Sequence, residues 1–142
     1  MKLLKEIKFI VIHHSHRNID SIERIKNIHV NINKWEDIGY HWIIDKEGNL
    51  IKGRNEKYIG AHVYGHNDNS LSVCLIGNLD EFYPTQKQIQ TLIKFLKENS
   101  LKYKIPKENI LGHNEFTNVT KTCPGKLLNI DEIKEIMNDT KS

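Results

Sequence analysis

Lys8-Phe9-Ile10-Val11-Ile12-His13-His14 decides how the rest of the chain is read. Its apolar, β-branched run shows no alternation with polar residues, the pattern of a strand buried on both faces. Two histidines end it. A second such run, Leu71-Ser72-Val73-Cys74-Leu75-Ile76-Gly77, predicts another buried strand, and Ile110-Leu111 a short one before Gly112-His113. Trp42-Ile43-Ile44, Asp45-Lys46-Glu47-Gly48-Asn49 and Leu50-Ile51 read as a hairpin around a glycine-containing turn. Between these strands lie helical patterns. Asp20 or Ser21 caps a helix with Ile22, Ile25, Ile28 and Ile32 at helical spacing. Thr85 opens a second helix, with Gln88 placed for a capping box and Ile89, Leu92, Ile93, Leu96 and Leu101 on its inner face. Asp131 begins a short last helix containing Ile133 and Ile136. Interleaved strands and helices make the class α/β, and the hairpin makes the central sheet mixed.

One domain over residues 1–142 is expected, without repeats, low-complexity stretches or a Pro/Gly/Ser linker. Hydrophobic residues at 38% and charged residues at 27% exclude collagen-like, disulfide-scaffold and disordered classes. No apolar run approaches the roughly 20 residues of a membrane helix, so no membrane insertion is expected. The net charge of +3 comes from 21 Lys+Arg against 18 Asp+Glu, and the positive residues are scattered rather than clustered. That argues against a nucleic-acid partner. Two cysteines, Cys74 and Cys123, cannot build a disulfide framework. Met1-Lys2-Leu3-Leu4-Lys5-Glu6 lacks the apolar core and cleavage site of a signal peptide, so synthesis in the cytoplasm is expected, with delivery to any outside target by another agent.

Eight histidines are many for this length, and their positions matter more than their number. His13 and His14 end one buried strand, and His113 follows another. Cys123 stands in Lys121-Thr122-Cys123-Pro124. Strand ends are rigid platforms for functional groups. Two imidazoles and a thiolate suit zinc, and three protein ligands leave its fourth position open, as in catalytic sites. Spacing alone also allows ordinary polar loop residues. Pro124 disfavours helical backbone at Cys123, so the stretch is extended and Lys121 projects to the same side as Cys123. Its ammonium then either stabilises an oxyanion there or is a solvated surface charge. Tyr40, after Gly39, either offers its phenol to a substrate carbonyl or is a half-buried strand aromatic. His41 reads as a hydrogen-bonded strand histidine, and Cys74 as a small core residue.

Six segments in order resemble the type 2 N-acetylmuramoyl-L-alanine amidases, a family that includes small phage lysozymes and shares its fold with peptidoglycan recognition proteins. They are Phe9-Ile10-Val11-Ile12-His13-His14-Ser15, Ile38-Gly39-Tyr40-His41-Trp42-Ile43-Ile44, Gly60-Ala61-His62, Asn69-Ser70-Leu71-Ser72-Val73-Cys74-Leu75-Ile76-Gly77, Gly112-His113-Asn114-Glu115 and Lys121-Thr122-Cys123-Pro124. The resemblance runs from residue 9 to about residue 128. It implies a zinc ion held by His13, His113 and Cys123, with His13 rather than His14 on the ligand position. Tyr40 and Lys121 fall on the positions that assist catalysis, and His62 on a segment that could line the substrate groove. The implied fold is a mixed sheet flanked by helices, with a groove across the zinc. The implied reaction is hydrolysis of the lactyl–L-alanine amide of bacterial peptidoglycan.

The resemblance leaves three alternatives: a peptidoglycan-binding module that does not cut, a cytoplasmic muropeptide-recycling amidase, and a protein whose structural zinc is closed by His14 or His41. A phage or prophage endolysin, acting as a monomer on the wall after release, is the expectation. The loop Asp80-Glu81-Phe82-Tyr83-Pro84 varies within the family, so preference for a wall type does not carry over. The segment between His113 and Cys123 is short and leaves little room for further substrate-binding structure.

Overall fold

A computed structural model describes residues 1–116 and 121–139. The short segment between His113 and Cys123 therefore lies partly outside the described residues. The two apolar runs become the middle of the sheet. Strand β1 (Phe9–His14) and strand β4 (Ser70–Leu75) pair in parallel along six positions, from Phe9 opposite Ser70 to His14 opposite Leu75. Strand β2 (Trp42–Ile44) lies parallel to β4 on its other side, and β3 (Leu50–Lys52) returns antiparallel to β2. Strand β5 (Ile110–Gly112) lies parallel to β1. The order is β3-β2-β4-β1-β5, a mixed sheet as expected. Every residue of β4 is buried on both faces, its two serines, Ser70 and Ser72, included.

Helix α2 (Gln86–Lys102) and helix α3 (Ile130–Asp139) cover one face. Ile10 and Ile12 of β1, with Leu71, Val73 and Leu75 of β4, pack there against Leu92, Phe95, Leu96 and Ile133. On the other face Ile43 and Cys74 meet Ile25 of α1 (Ile22–Asn27), and Val11 meets Val63 and Phe116. Side chains alternate across a strand, so His13 shares the face of Val11 and His14 the face of Ile12.

The capping signals hold. Ser21 accepts from the Arg24 N–H at 3.1 Å, and Thr85 with Gln88 forms the full capping box. Gln88 goes further: its buried amide donates to the Ile76 carbonyl at 2.9 Å and the Ile44 carbonyl at 3.2 Å, tying α2 to the ends of β4 and β2. Two expectations fail. Leu101 is 81% exposed, because nine residues at about 100° each put it half a turn from Leu92. Phe95 takes the inward place instead. Ile32 is 67% exposed, because α1 widens into a π-helical turn over Ile28–Ile32, which rotates Ile32 off the buried stripe.

Candidate metal centre

The register of β1 and β5 builds the site. Gly112 pairs with Ile12, so the next residues, His113 and His13, emerge side by side from the strand ends. Their ring centroids are 4.8 Å apart. Cys123 arrives from a separate segment whose path is held by backbone and side-chain contacts. Asn114 N–H donates to the Cys123 carbonyl at 2.7 Å. Asp80 accepts from the Thr122 hydroxyl at 2.7 Å and from Lys126 N–H at 3.0 Å. Gly125, at φ +113°, lies so close to Leu79 that a Cβ would stand 2.5 Å from the Leu79 backbone. Gly112 likewise leaves room for the Pro124 ring, which a Cβ would meet at 2.7 Å.

One ligand atom from each of His13, His113 and Cys123 lies within 4.8 Å of the others. His13 Nδ1 faces Cys123 Sγ at 3.6 Å. Tetrahedral zinc, with bonds of about 2.3 Å to sulfur and about 2.05 Å to nitrogen, sets such atoms roughly 3.6 Å apart. The donor set therefore fits zinc in chemistry, and the His13–Cys123 pair fits it in separation. Among the described residues no fourth His, Cys, Asp or Glu joins this group. His41 is fully buried with both nitrogens engaged. Ser72 N–H donates to Nδ1 at 3.1 Å, and Nε2 lies 2.8 Å from the Tyr58 carbonyl. This is the hydrogen-bonded strand histidine expected. His14 Nδ1 accepts from Leu79 N–H at 3.0 Å, which leaves the ring proton on Nε2. Neither ring has a lone pair with which to close the site. The same bond disarms a second cluster, His14, His16 and Asp80, as a metal site.

Burial, helped by His113 and His14, keeps His13 well below the ordinary imidazole range. Burial and the Lys121 charge lower His113. Both rings are neutral at pH 7, as ligands must be. Burial pushes the Cys123 thiol up to about 11, against the His14 N–H, which donates to Sγ at 3.4 Å, and against Lys121. Tyr40 stands 5.1 Å from His13, ring centre to ring centre. Burial, then the Cys74 and Cys123 thiols, raise its phenol well above the ordinary value, so it remains a proton donor. Lys121 is exposed on the rim. These residues line one groove of about 860 Å³ together with Trp35 and Tyr64.

His62 also lines the groove, yet both its ring nitrogens face protein: His13 Nε2 at 3.0 Å and Ser70 Oγ at 3.1 Å. Gly60 makes this possible, because a Cβ there would stand 2.8 Å from the His62 ring. Sequence reasoning missed Ser70 and Asp80. Two serines in a buried strand, Ser70 and Ser72, were the signal for the first. For Asp80, in a loop read as variable, there was none.

The family model for N-acetylmuramoyl-L-alanine amidases matches residues 3–126. The chain belongs to the N-acetylmuramoyl-L-alanine amidase family. Among proteins similar to this amidase-family chain, an endolysin of Enterobacteria phage K11 is 37% identical over 95 residues, 63% of this chain and 60% of that protein. The N-acetylmuramoyl-L-alanine amidase LysC from Clostridium intestinale URNW superposes with a TM-score of 0.86 at 32% identity, covering 94% of this chain and 86% of LysC. The Apis mellifera protein PGRP-SA superposes with a TM-score of 0.81 at 27% identity, covering 99% and 87%. The chain spans 20% to 60% of the lengths of several curated relatives it matches.

Proposed function

We propose that this chain is a zinc-dependent N-acetylmuramoyl-L-alanine amidase, cutting the amide between the lactyl group and L-alanine of bacterial peptidoglycan. The observation that carries the reading is the trio His13, His113 and Cys123, with ligand atoms within 4.8 Å of one another and His13 and Cys123 at zinc-ligand separation, lining a groove with no fourth protein ligand among the described residues. Zinc bound there supplies a Lewis acid and a water with its pKa lowered to about 7. The chain's own residues do the rest. The groove holds the glycan–peptide junction so that the amide carbonyl lies between Tyr40 and Lys121. Tyr40, kept protonated by burial, donates a hydrogen bond to the carbonyl oxygen as it gains negative charge. Lys121 adds a positive charge on the rim, one that His113 already feels. A thiolate ligand lowers the net charge of the site, so both donors carry more of the oxyanion stabilisation than they would beside three neutral ligands.

Relatives named endolysin support a role in phage-type lysis of the cell wall. The test is release of L-alanine α-amino groups from purified peptidoglycan without new reducing sugar ends, abolished by a chelator and restored by zinc. Binding to peptidoglycan without amine release would make the chain a recognition module. Turnover confined to soluble muropeptides would make it a recycling enzyme.

A further inference from the structure

The hydrogen bonds behind His13 form a directed chain. Ser70 Oγ–H donates to the His66 carbonyl at 2.7 Å, and a carbonyl can only accept. With its proton committed, Ser70 Oγ meets His62 Nε2, 3.1 Å away, as an acceptor, so His62 carries its proton on Nε2. His62 Nδ1 is then a lone pair, and His13 Nε2, 3.0 Å away, must supply the hydrogen. That leaves the lone pair of His13 on Nδ1, the atom that faces Cys123 Sγ at 3.6 Å. The polarity is not symmetric. Reversing it would deprive the His66 carbonyl of its hydroxyl and turn an N–H, in place of a lone pair, toward the metal position. The backbone fixes the middle of the chain: Asn67 Oδ1 accepts from His62 N–H and Val63 N–H, both at 2.8 Å.

We propose that Ser70 and His62 are positioning residues that lock His13 in the tautomer able to bind metal, before any metal arrives. This rests on the reading of His13 as a ligand, and it reassigns His62 from a groove-lining residue for substrate to the partner of that ligand. Metal-ligating histidines generally need such a partner on the second nitrogen, and its loss typically costs 10–100-fold in metal affinity or activity. A second imidazole as partner is a weaker acceptor than a carboxylate. It adds no negative charge to a site that already holds a thiolate, and so leaves the metal more electrophilic.

The test begins on the full metal-free chain, labelled with ¹⁵N. Two-bond ¹H–¹⁵N correlation spectra report which ring nitrogen of each histidine carries the proton. His13 and His62 are both expected as Nε2–H. An Nδ1–H signature for His13 in the wild-type chain would overturn the proposal. His62→Ala and Ser70→Ala are expected to mix the tautomers of His13 and to weaken cobalt or zinc binding, measured by chelator competition, by 10–100-fold. His62→Asn, whose Oδ1 stands where Nδ1 stood, and Ser70→Thr, which keeps the hydroxyl, are expected to recover most of both. They also serve if the alanine variants do not fold. Tautomers and affinity unchanged in folded His62→Ala would equally refute it. Wild-type chain with Nε2–H tautomers but no cobalt binding, and no sulfur-to-cobalt charge-transfer band, would instead sink the metal reading and remove the role while leaving the hydrogen-bond chain standing.

Discussion

Metal uptake at pH 6 should release about one proton per ion, and that proton should come from Cys123. Burial raises this thiol to about 11, so at neutral pH the metal-free chain holds it protonated, with roughly 5 kcal/mol needed to ionise it at pH 7. A bound metal reverses this and takes the thiolate. His13 and His113 are both lowered by burial, with His113 and Lys121 respectively adding to the effect, and so bring fewer protons to give than free imidazoles would. Had both rings kept an ordinary pKa near 6.5, each would be about three-quarters protonated at pH 6 and the release would approach about 2.5. Metal-bound water, with a pKa near 7, contributes little at that pH. Calorimetric zinc titrations in buffers of different ionisation enthalpy count the protons directly. Affinity should rise about tenfold per pH unit from the thiol alone. Cys123→Ser should abolish the release and weaken binding. A count near 2.5 would refute the claim that burial keeps the imidazoles neutral, and a count near zero would refute the claim that the thiol is protonated in the metal-free chain.

Other expectations follow from the same geometry. Lys121→Ala and Tyr40→Phe should each slow amide hydrolysis by about 10²–10³-fold with zinc affinity little changed; full turnover in either would remove that residue from catalysis. Asp80→Ala, which strips the acceptor from Thr122 and Lys126, should cost about 2 kcal/mol in urea denaturation and weaken metal binding through Cys123. Gly125→Ala, with φ +113° and a clash at 2.5 Å, should lower the melting temperature by more than Asp80→Ala does, and equal melting would contradict the packing described. Burial lowers His14 from 6.5 to about 4, so the unfolded chain binds the extra proton across that window and the metal-free protein loses stability as pH falls through it. After allowance for screening the His14 share is ~1–2 kcal/mol. His14→Asn, which keeps an acceptor for Leu79 N–H, should flatten the pH dependence between 6.5 and 4 by that amount.

The elements that local chemistry writes were legible in the chain. The β1 and β4 runs, the Ser21 cap and the Thr85–Gln88 box depend on neighbours a few residues apart, where pattern and structure are tied by fixed periods. Leu101 and Ile32 were misread because an apolar residue near the end of a helix says little about phase, and a π turn shifts phase without leaving a mark in composition. The two histidines of the trio stood at strand ends in the sequence, but His13 lies about a hundred residues from His113 and Cys123, and only the resemblance to a family joined them.

Residue types alone supplied a donor set that suits zinc: imidazoles at the ends of buried strands and a thiol in a Lys-Thr-Cys-Pro stretch. Which of them meet was a matter for the tertiary structure. Parallel register brings His113 beside His13. Strand alternation turns His14 to the opposite face, where Leu79 takes its lone pair. The path of a lone pair from the His66 carbonyl through Ser70 and His62 to His13 exists only in three dimensions, because a hydrogen bond has a direction that no one-dimensional pattern records.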